Sequence, residues 1–179
     1  MENVTADLKK NLRAVKDILT AEDILTFEFN TKDGAACAAI YADGLCDKEL
    51  LGEQVIRRLT AENRAEDIDG AAKLLTSPEI KKEKSVQTIT DEILSGNTAL
   101  FIDGIKGALI VGVKSAPMRT VTEPPTSIAV KGPREGFIED IKTNMALLRK
   151  RLKTGDLQFE TIKAGRRSKT MVAIAYLEG

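Results

Sequence analysis

The sequence predicts an α/β (α+β) protein made of two small subdomains, each a mixed sheet with covering helices, the second incomplete. Three observations carry that expectation. Helix-spaced apolar stripes alternate with short strand-like runs along the chain. Two pairs of those runs meet at Asp-Gly or Lys-Gly turns, as hairpins do. A proline-rich stretch, "TVTEPPTSIAVKGP", interrupts this pattern once, past the middle.

Each element has its own signal. Leu8, Leu12, Val15 and Leu19 recur at helical spacing after Thr5, a plausible cap. "ILTFEFN" and "AACAAIYADG" flank Thr31-Lys32-Asp33-Gly34 and read as a hairpin. Leu50, Leu51, Val55, Ile56 and Leu59 mark an amphipathic helix that starts near Asp47. Asn63 to Asp69 reads as a loop, and "GAAKLL" as a short helix that stops at Ser77-Pro78. "SVQTITDEILSG" is a further helix, ended by Gly96. "TALFIDG" and "ALIVGV", joined at Lys106-Gly107, form a second hairpin, apolar enough for the middle of a sheet.

These elements fill a first subdomain over 1–121. Pro124-Pro125 stiffens the chain and prevents a regular central strand, so 122–132 reads as a hinge. The second subdomain, 133–179, is expected to hold one helix from Pro133 to about Lys153 and two strands, "DLQFETIKAG" and "RRSKTMVAIAYLEG". One helix cannot cover both faces of a sheet. "MVAIAYL" is therefore expected to be under-covered. The piece past Pro133 is expected to be mobile, or to pack on the first region or on another copy.

The 179 residues are 42% hydrophobic and 30% charged, ordinary for a globular chain. Aromatics are 4%, with no Trp, so base stacking is poorly supplied and no nucleic acid partner is expected. There is no His, which removes imidazole acid–base chemistry and His-containing metal sites. Cys37 and Cys46 match no zinc spacing and read as reduced, buried residues. No serine-nucleophile elbow or catalytic carboxylate pair stands out, so neither an enzyme nor a cofactor is expected. Asp43, Asp47 and Asp103 read as turn and cap residues rather than metal ligands.

Net charge is zero but unevenly spread. Residues from Lys131 onward carry eleven Lys/Arg against six Asp/Glu, leaving 16 against 21 in front. Arg149, Arg151, Arg166, Arg167 and Lys169 are the expected basic surface, suited to phosphate, anionic lipid or an acidic partner. "AGRRSKT" lacks the second glycine and the following helix of a phosphate-binding loop, and reads as a basic hairpin tip.

"GPREGFIED", from Gly132 to Asp140, holds the other candidate residues. Helix-dipole placement explains its acids and the basic residues after Arg149. It does not explain Arg134 beside Glu135, nor Gly136 in a first helical turn. Two readings stay open. One is a ligand or partner contact at the hinge. The other is an intramolecular lock pairing Arg134 or Glu135 with Glu123, Lys131 or Arg119. Arg119, Glu123, Arg134 and Glu135 are the candidate hinge or ligand-binding residues.

Four stretches in order, "YADGLCD", "LFIDG", "GPREGFIEDIKTNMALLRKRL" and "GRRSKTMVAIAYLEG", together resemble one family. It is the A subunit of bacterial spore germinant receptors, the GerA family, with its relatives from the SpoVA operon. The Pro125-Thr126 pair after Glu123-Pro124 departs from the family pattern. The resemblance implies a soluble N-terminal region of two α/β subdomains, followed in the family by membrane-spanning helices. It implies a place at the spore inner membrane, with this region on the core side. It implies B and C partner subunits and responses to small germinants: amino acids, sugars or nucleosides. Family members continue past "AYLEG", so the chain reads as a fragment. Two roles stay open: a germinant sensor or scaffold, and a pure assembly domain that contacts subunits, a second copy or anionic lipid.

Overall fold

A computed structural model of the chain describes residues 2–115 and 136–179. The expected hinge, 122–132, and the candidates Arg119, Glu123, Arg134 and Glu135 lie outside the described residues.

The front unit begins with helix α1 (Leu8–Ile18), then strands β1 (Ile24–Asn30) and β2 (Ala36–Ala42). Helix α2 (Lys48–Leu51), a π-helical stretch (Gly52–Ile56) and α3 (Arg57–Ala61) run on continuously. Helix α4 (Ile68–Leu74), strand β3 (Ile80–Glu83), helix α5 (Val86–Leu94) and strands β4 (Thr98–Ile102) and β5 (Ala108–Val111) complete it. The back unit is helix α6 (Ile141–Arg151) with strands β6 (Leu157–Ala164) and β7 (Thr170–Leu177).

The front sheet has the order β1-β2-β4-β5-β3, and the back sheet pairs β6 with β7. Every pairing is antiparallel. The expected mixed sheet is thus antiparallel throughout: hairpins join β1 to β2 and β4 to β5, and the longer helical connections return the chain to lay β4 beside β2 and β5 beside β3 in the opposite sense.

Alternation explains the long apolar runs. Successive residues of a strand point to opposite faces. From β2, Ala38 and Ile40 pack with Leu12, Val15, Ile89 and Ile93 of α1 and α5. Cys37, Ala39 and Tyr41 pack on the other face with Leu51, Val55, Leu59 and Ala71. Every residue of β4 and β5 is buried. Helices on both faces therefore demand strands without polar alternation. Burying one such Leu or Ile side chain contributes about 1.5–3 kcal/mol.

Caps set the helix starts. Asp7 rather than Thr5 caps α1, accepting from the Lys10 N–H at 3.1 Å. The Thr5 hydroxyl instead accepts the Asp7 N–H. Asp47 caps α2 as expected, through the Glu49 and Leu50 amides. Strand β3, "IKKE", was not among the expected elements. It is an edge strand, and its lysines pair outward, Lys81 with Glu92 and Lys82 with Asp69.

Helix α6 starts at Ile141, well after Pro133. Asp140 is its cap, accepting from the Thr143 N–H at 2.8 Å and from the Thr143 hydroxyl at 2.6 Å. Asn144 holds the lead-in segment by bonding both the N–H and the C=O of Ile138. An Asp with a Thr three residues on favours this cap over continued helix. The apolar residues Phe137 and Leu152, which fall at helical spacing within the expected helix from Pro133 to about Lys153, accordingly do not join its buried side. Both residues are exposed, and the buried side of α6 is Ala146, Leu147 and Arg149.

Both cysteines are free and buried, as expected. Burial, aided by the charges of Asp33 and Asp103, pushes the Cys37 thiol up to about 11. Burial also raises Cys46, partly offset by its contact with the Thr98 hydroxyl. Thiolate is the reactive form. Neither cysteine should react with a thiol reagent at neutral pH until denaturant is added, a result that stoichiometric labelling checks.

Candidate functional site

The back unit packs against the front one along a polar seam, and the seam is the best-organised polar feature of the described residues. Its centre is Arg149, which is fully buried. Nε donates to Asp23 Oδ2 at 2.8 Å and Nη2 to Asp23 Oδ1 at 2.7 Å, a bidentate pair. Nη1 donates to the Thr154 carbonyl at 2.7 Å and Nη2 also to the Leu157 carbonyl at 2.8 Å. The guanidinium lies 5.3 Å from the centroid of the Phe159 ring. Asp23 sits just before β1, and its own carbonyl accepts the Asp43 N–H from the end of β2. A planar fork with several donors suits this site, where a lysine would leave acceptors unmet.

Arg149 therefore departs from the expected basic surface. Its partner lies 126 residues away in sequence, so the run "LLRKRL" alone makes it look solvated. Arg151 is exposed, and Arg166, Arg167 and Lys169 stand exposed at the β6–β7 turn.

Further ties flank the pair. The Thr161 N–H and hydroxyl both donate to Glu22 Oε2, at 3.0 and 2.8 Å. Gln158 Nε2 donates to the Thr20 hydroxyl at 2.9 Å. Asp43 pairs with Lys48 at 2.7 Å within the front unit and with Lys142 of α6 at 3.3 Å. Gly44 follows with φ +79°, and a Cβ there would stand 2.7 Å from the Ala146 Cβ. The turn after β2 is thus the floor on which α6 rests.

Desolvation raises the Asp43 pKa, but the hydrogen bond and charge of Lys48 and those of Lys142 outweigh it, leaving it below its ordinary 3.8. A carboxyl lowered by folding adds stability above its unfolded pKa and loses it as pH falls through the folded one. The α6 contact should therefore loosen as pH drops below about 4. Amide chemical shifts of α6 followed on acidification should show this, and Asp43→Asn should flatten that part of the profile.

Beside these ties lies a cleft of ≈ 180 Å³. Its walls are Glu22 and Asp43 in front, Ile141, Lys142 and Met145 of α6, and Met171 of β7. Carboxylates, one ammonium and a soft thioether wall face one small space. Two wider, more open grooves of ≈ 410 Å³ lie on the front unit, one along Lys32 and Glu62–Leu74, the other along Asp47–Arg57. Among the described residues no buried side-chain N or O lacks a hydrogen-bond partner, and no group of three or more potential metal ligands occurs. No helix among them is long and apolar enough to cross a membrane.

A three-layer α/β unit is thus joined through a buried ion pair to a helix–hairpin unit. The fold of the chain matches that of the N-terminal domain of the A subunit of the Bacillus megaterium spore germinant receptor GerK3. The TM-score is 0.71 at 22% identity, over 99% of this chain and 67% of that one. The family described as Bacillus/Clostridium GerA spore germination protein matches residues 6–179, and the chain belongs to that family.

Among the relatives, Stage V sporulation protein AF of Bacillus subtilis (strain 168) is 37% identical over 142 residues, covering 77% of this chain and 29% of that protein. Spore germination protein KA of the same organism is 30% identical, covering 97% and 32%. Spore germination protein B1, also from that organism, is 31% identical, covering 98% and 37%. The chain thus spans between 29% and 37% of the length of these three relatives.

Proposed function

We propose that this chain is the part of a germinant receptor A subunit that senses a small germinant and couples it to the rest of the receptor, and that the seam is where sensing acts. The observation that carries this reading is the buried Asp23–Arg149 pair beside the cleft. A bidentate buried pair holds one relative placement of the two units. A ligand in the adjoining cleft shifts that placement only as far as it binds one arrangement better than another.

In this reading residues 122–132 are the pivot between two subdomains, 1–121 and 133–179. Glu123 then lies in the pivot, and Arg119, Arg134 and Glu135 flank it in sequence. The ligand is an amino acid, sugar or nucleoside. B and C subunits receive the signal at the spore inner membrane.

The test is an amide NMR titration of the chain with each class of germinant. Shifts confined to Glu22, Asp43, Lys142 and Met145 support sensing at the seam. No shift at millimolar ligand removes sensing and leaves a scaffold.

One observation favours a second reading, assembly without a small ligand. Strand β7 has no buried residue, and Met171, Ile174 and Leu177 are among its exposed apolar side chains. Exposed apolar strands of this kind mark contact surfaces. Binding to anionic vesicles that fades with salt would place that contact on lipid.

A further inference from the structure

The turn after β2, from Asp43 to Asp47, carries more than α6. Its first half meets the back unit, Asp43 at Lys142 and Gly44 under Ala146. Its second half is zipped to the chain that leaves β5. The Asp47 N–H donates to the Val113 carbonyl and the Ser115 N–H to the Leu45 carbonyl, both at 2.8 Å. Between those bonds Cys46 and Lys114 form an antiparallel bridge. The two halves are tied to each other, because the Leu45 and Cys46 N–H groups both donate to the Ala42 carbonyl. Asp47 also caps α2, which fixes the far end of the turn.

Ser115 is the last described residue before the expected hinge, and Ile138 belongs to the lead-in that follows it. Ile138 is fastened to α6 by both bonds of Asn144, at 2.8 and 2.6 Å. The front unit uses the same device: Asn11 bonds the N–H and the C=O of Thr5, at 2.8 and 2.9 Å, ahead of α1. The chain's departure from the front unit and its arrival at α6 are therefore secured to opposite halves of one short turn.

Two arrangements follow. With α6 seated, Ala146 holds Gly44 in place and the zip is in register. With α6 lifted, Asp43 keeps Lys48 but loses Lys142, and the turn relaxes out of register with Val113 and Ser115. We propose that seating of α6 and closure of the zip at 113–115 form one cooperative latch, which passes a shift at the seam to the point where the chain leaves the front unit. Its use in signalling rests on the seam as the sensing element, but the latch itself requires no ligand. A failed germinant titration leaves it standing, and a failed latch leaves germinant binding standing.

The test is hydrogen exchange of the chain, followed by NMR. The Asp47 and Ser115 amides report the zip, and the Arg149 Nε–H, buried on Asp23, reports the seat. The Lys32 and Gly104 amides, bonded at the opposite end of β2, are the controls. Ala146→Val wedges α6 away from Gly44, and Lys142→Ala removes only the ion pair. Ala146→Val should speed exchange at Asp47 and Ser115 at least about tenfold and Lys142→Ala about threefold, with the controls within about twofold. Coupling is reciprocal, so Ser115→Pro, which deletes one bond of the zip, should speed exchange of the Arg149 Nε–H. Zip amides indifferent to both α6 variants overturn the proposal. So does acceleration that reaches the controls equally, which would make α6 a general stabiliser of the front unit. An Arg149 Nε–H unmoved by Ser115→Pro overturns it as well.

Discussion

Arg149→Ala is expected to cost about 3–5 kcal/mol, the largest loss of any polar substitution among the described residues. The mutation leaves Asp23 buried with both carboxylate oxygens stripped of their guanidinium donors. It also strands the Thr154 and Leu157 carbonyls and removes the cation over Phe159. Of these, the uncompensated buried charge dominates, because a neutral acceptor left unpaired costs only about 1–3 kcal/mol. Arg149→Lys should recover little, since an ammonium cannot span both oxygens and two carbonyls at once. Denaturant unfolding measures the loss. A double change, Arg149→Met with Asp23→Leu, separates charge burial from packing. If the pair serves placement more than stability, that double variant should be nearly as stable as the parent while the amide shifts of α6 move. An Arg149→Ala variant within about 1 kcal/mol of the parent would show the seam to be wetter than its geometry implies.

Gly44→Ala ranks next, with an expected cost of about 2–4 kcal/mol. Two penalties combine. A side chain at φ +79° is strained by itself, and its Cβ would meet the Ala146 Cβ at 2.7 Å. The loss should fall on the back unit: α6 lifts, while the thermal transition of the front sheet moves less. Replacing Ala146 with glycine in the same chain should return part of the loss by removing the clash and should leave the backbone strain. That double-mutant cycle divides the two penalties. An additive result would mean that α6 does not rest on this turn.

Much of the front unit could be read from residue order. The strands β2, β4 and β5 are apolar without interruption because helices cover both faces, and that texture is visible in "AACAAIYA", "TALFI" and "ALIV". The cap at Asp47 and the basic hairpin tip follow from local chemistry in the same way. What escaped was set at long range. The charges of β3 concealed a strand that exists only because β5 offers it an edge. Asp140 with Thr143 outcompeted the proline as the start of α6, a local contest decided by side-chain hydrogen bonds. Nothing in "LLRKRL" distinguishes Arg149 from Lys150 or Arg151, since its partner waits 126 residues upstream. Asp23, Glu22 and Thr161 were likewise invisible as a set, because only the docking of the two units brings them together.

The contrast between a front sheet whose middle strands have no exposed residue and a hairpin whose second strand has no buried one has a bearing on solvent exchange. Amides of β4 and β5 can trade hydrogen for deuterium only through whole-molecule opening. Those of β7 should trade within a much shorter time, by local fraying that leaves the rest intact. A protease offered the native chain should accordingly cut first near Arg166 and Arg167, releasing the tail and leaving the five-stranded sheet as the resistant core.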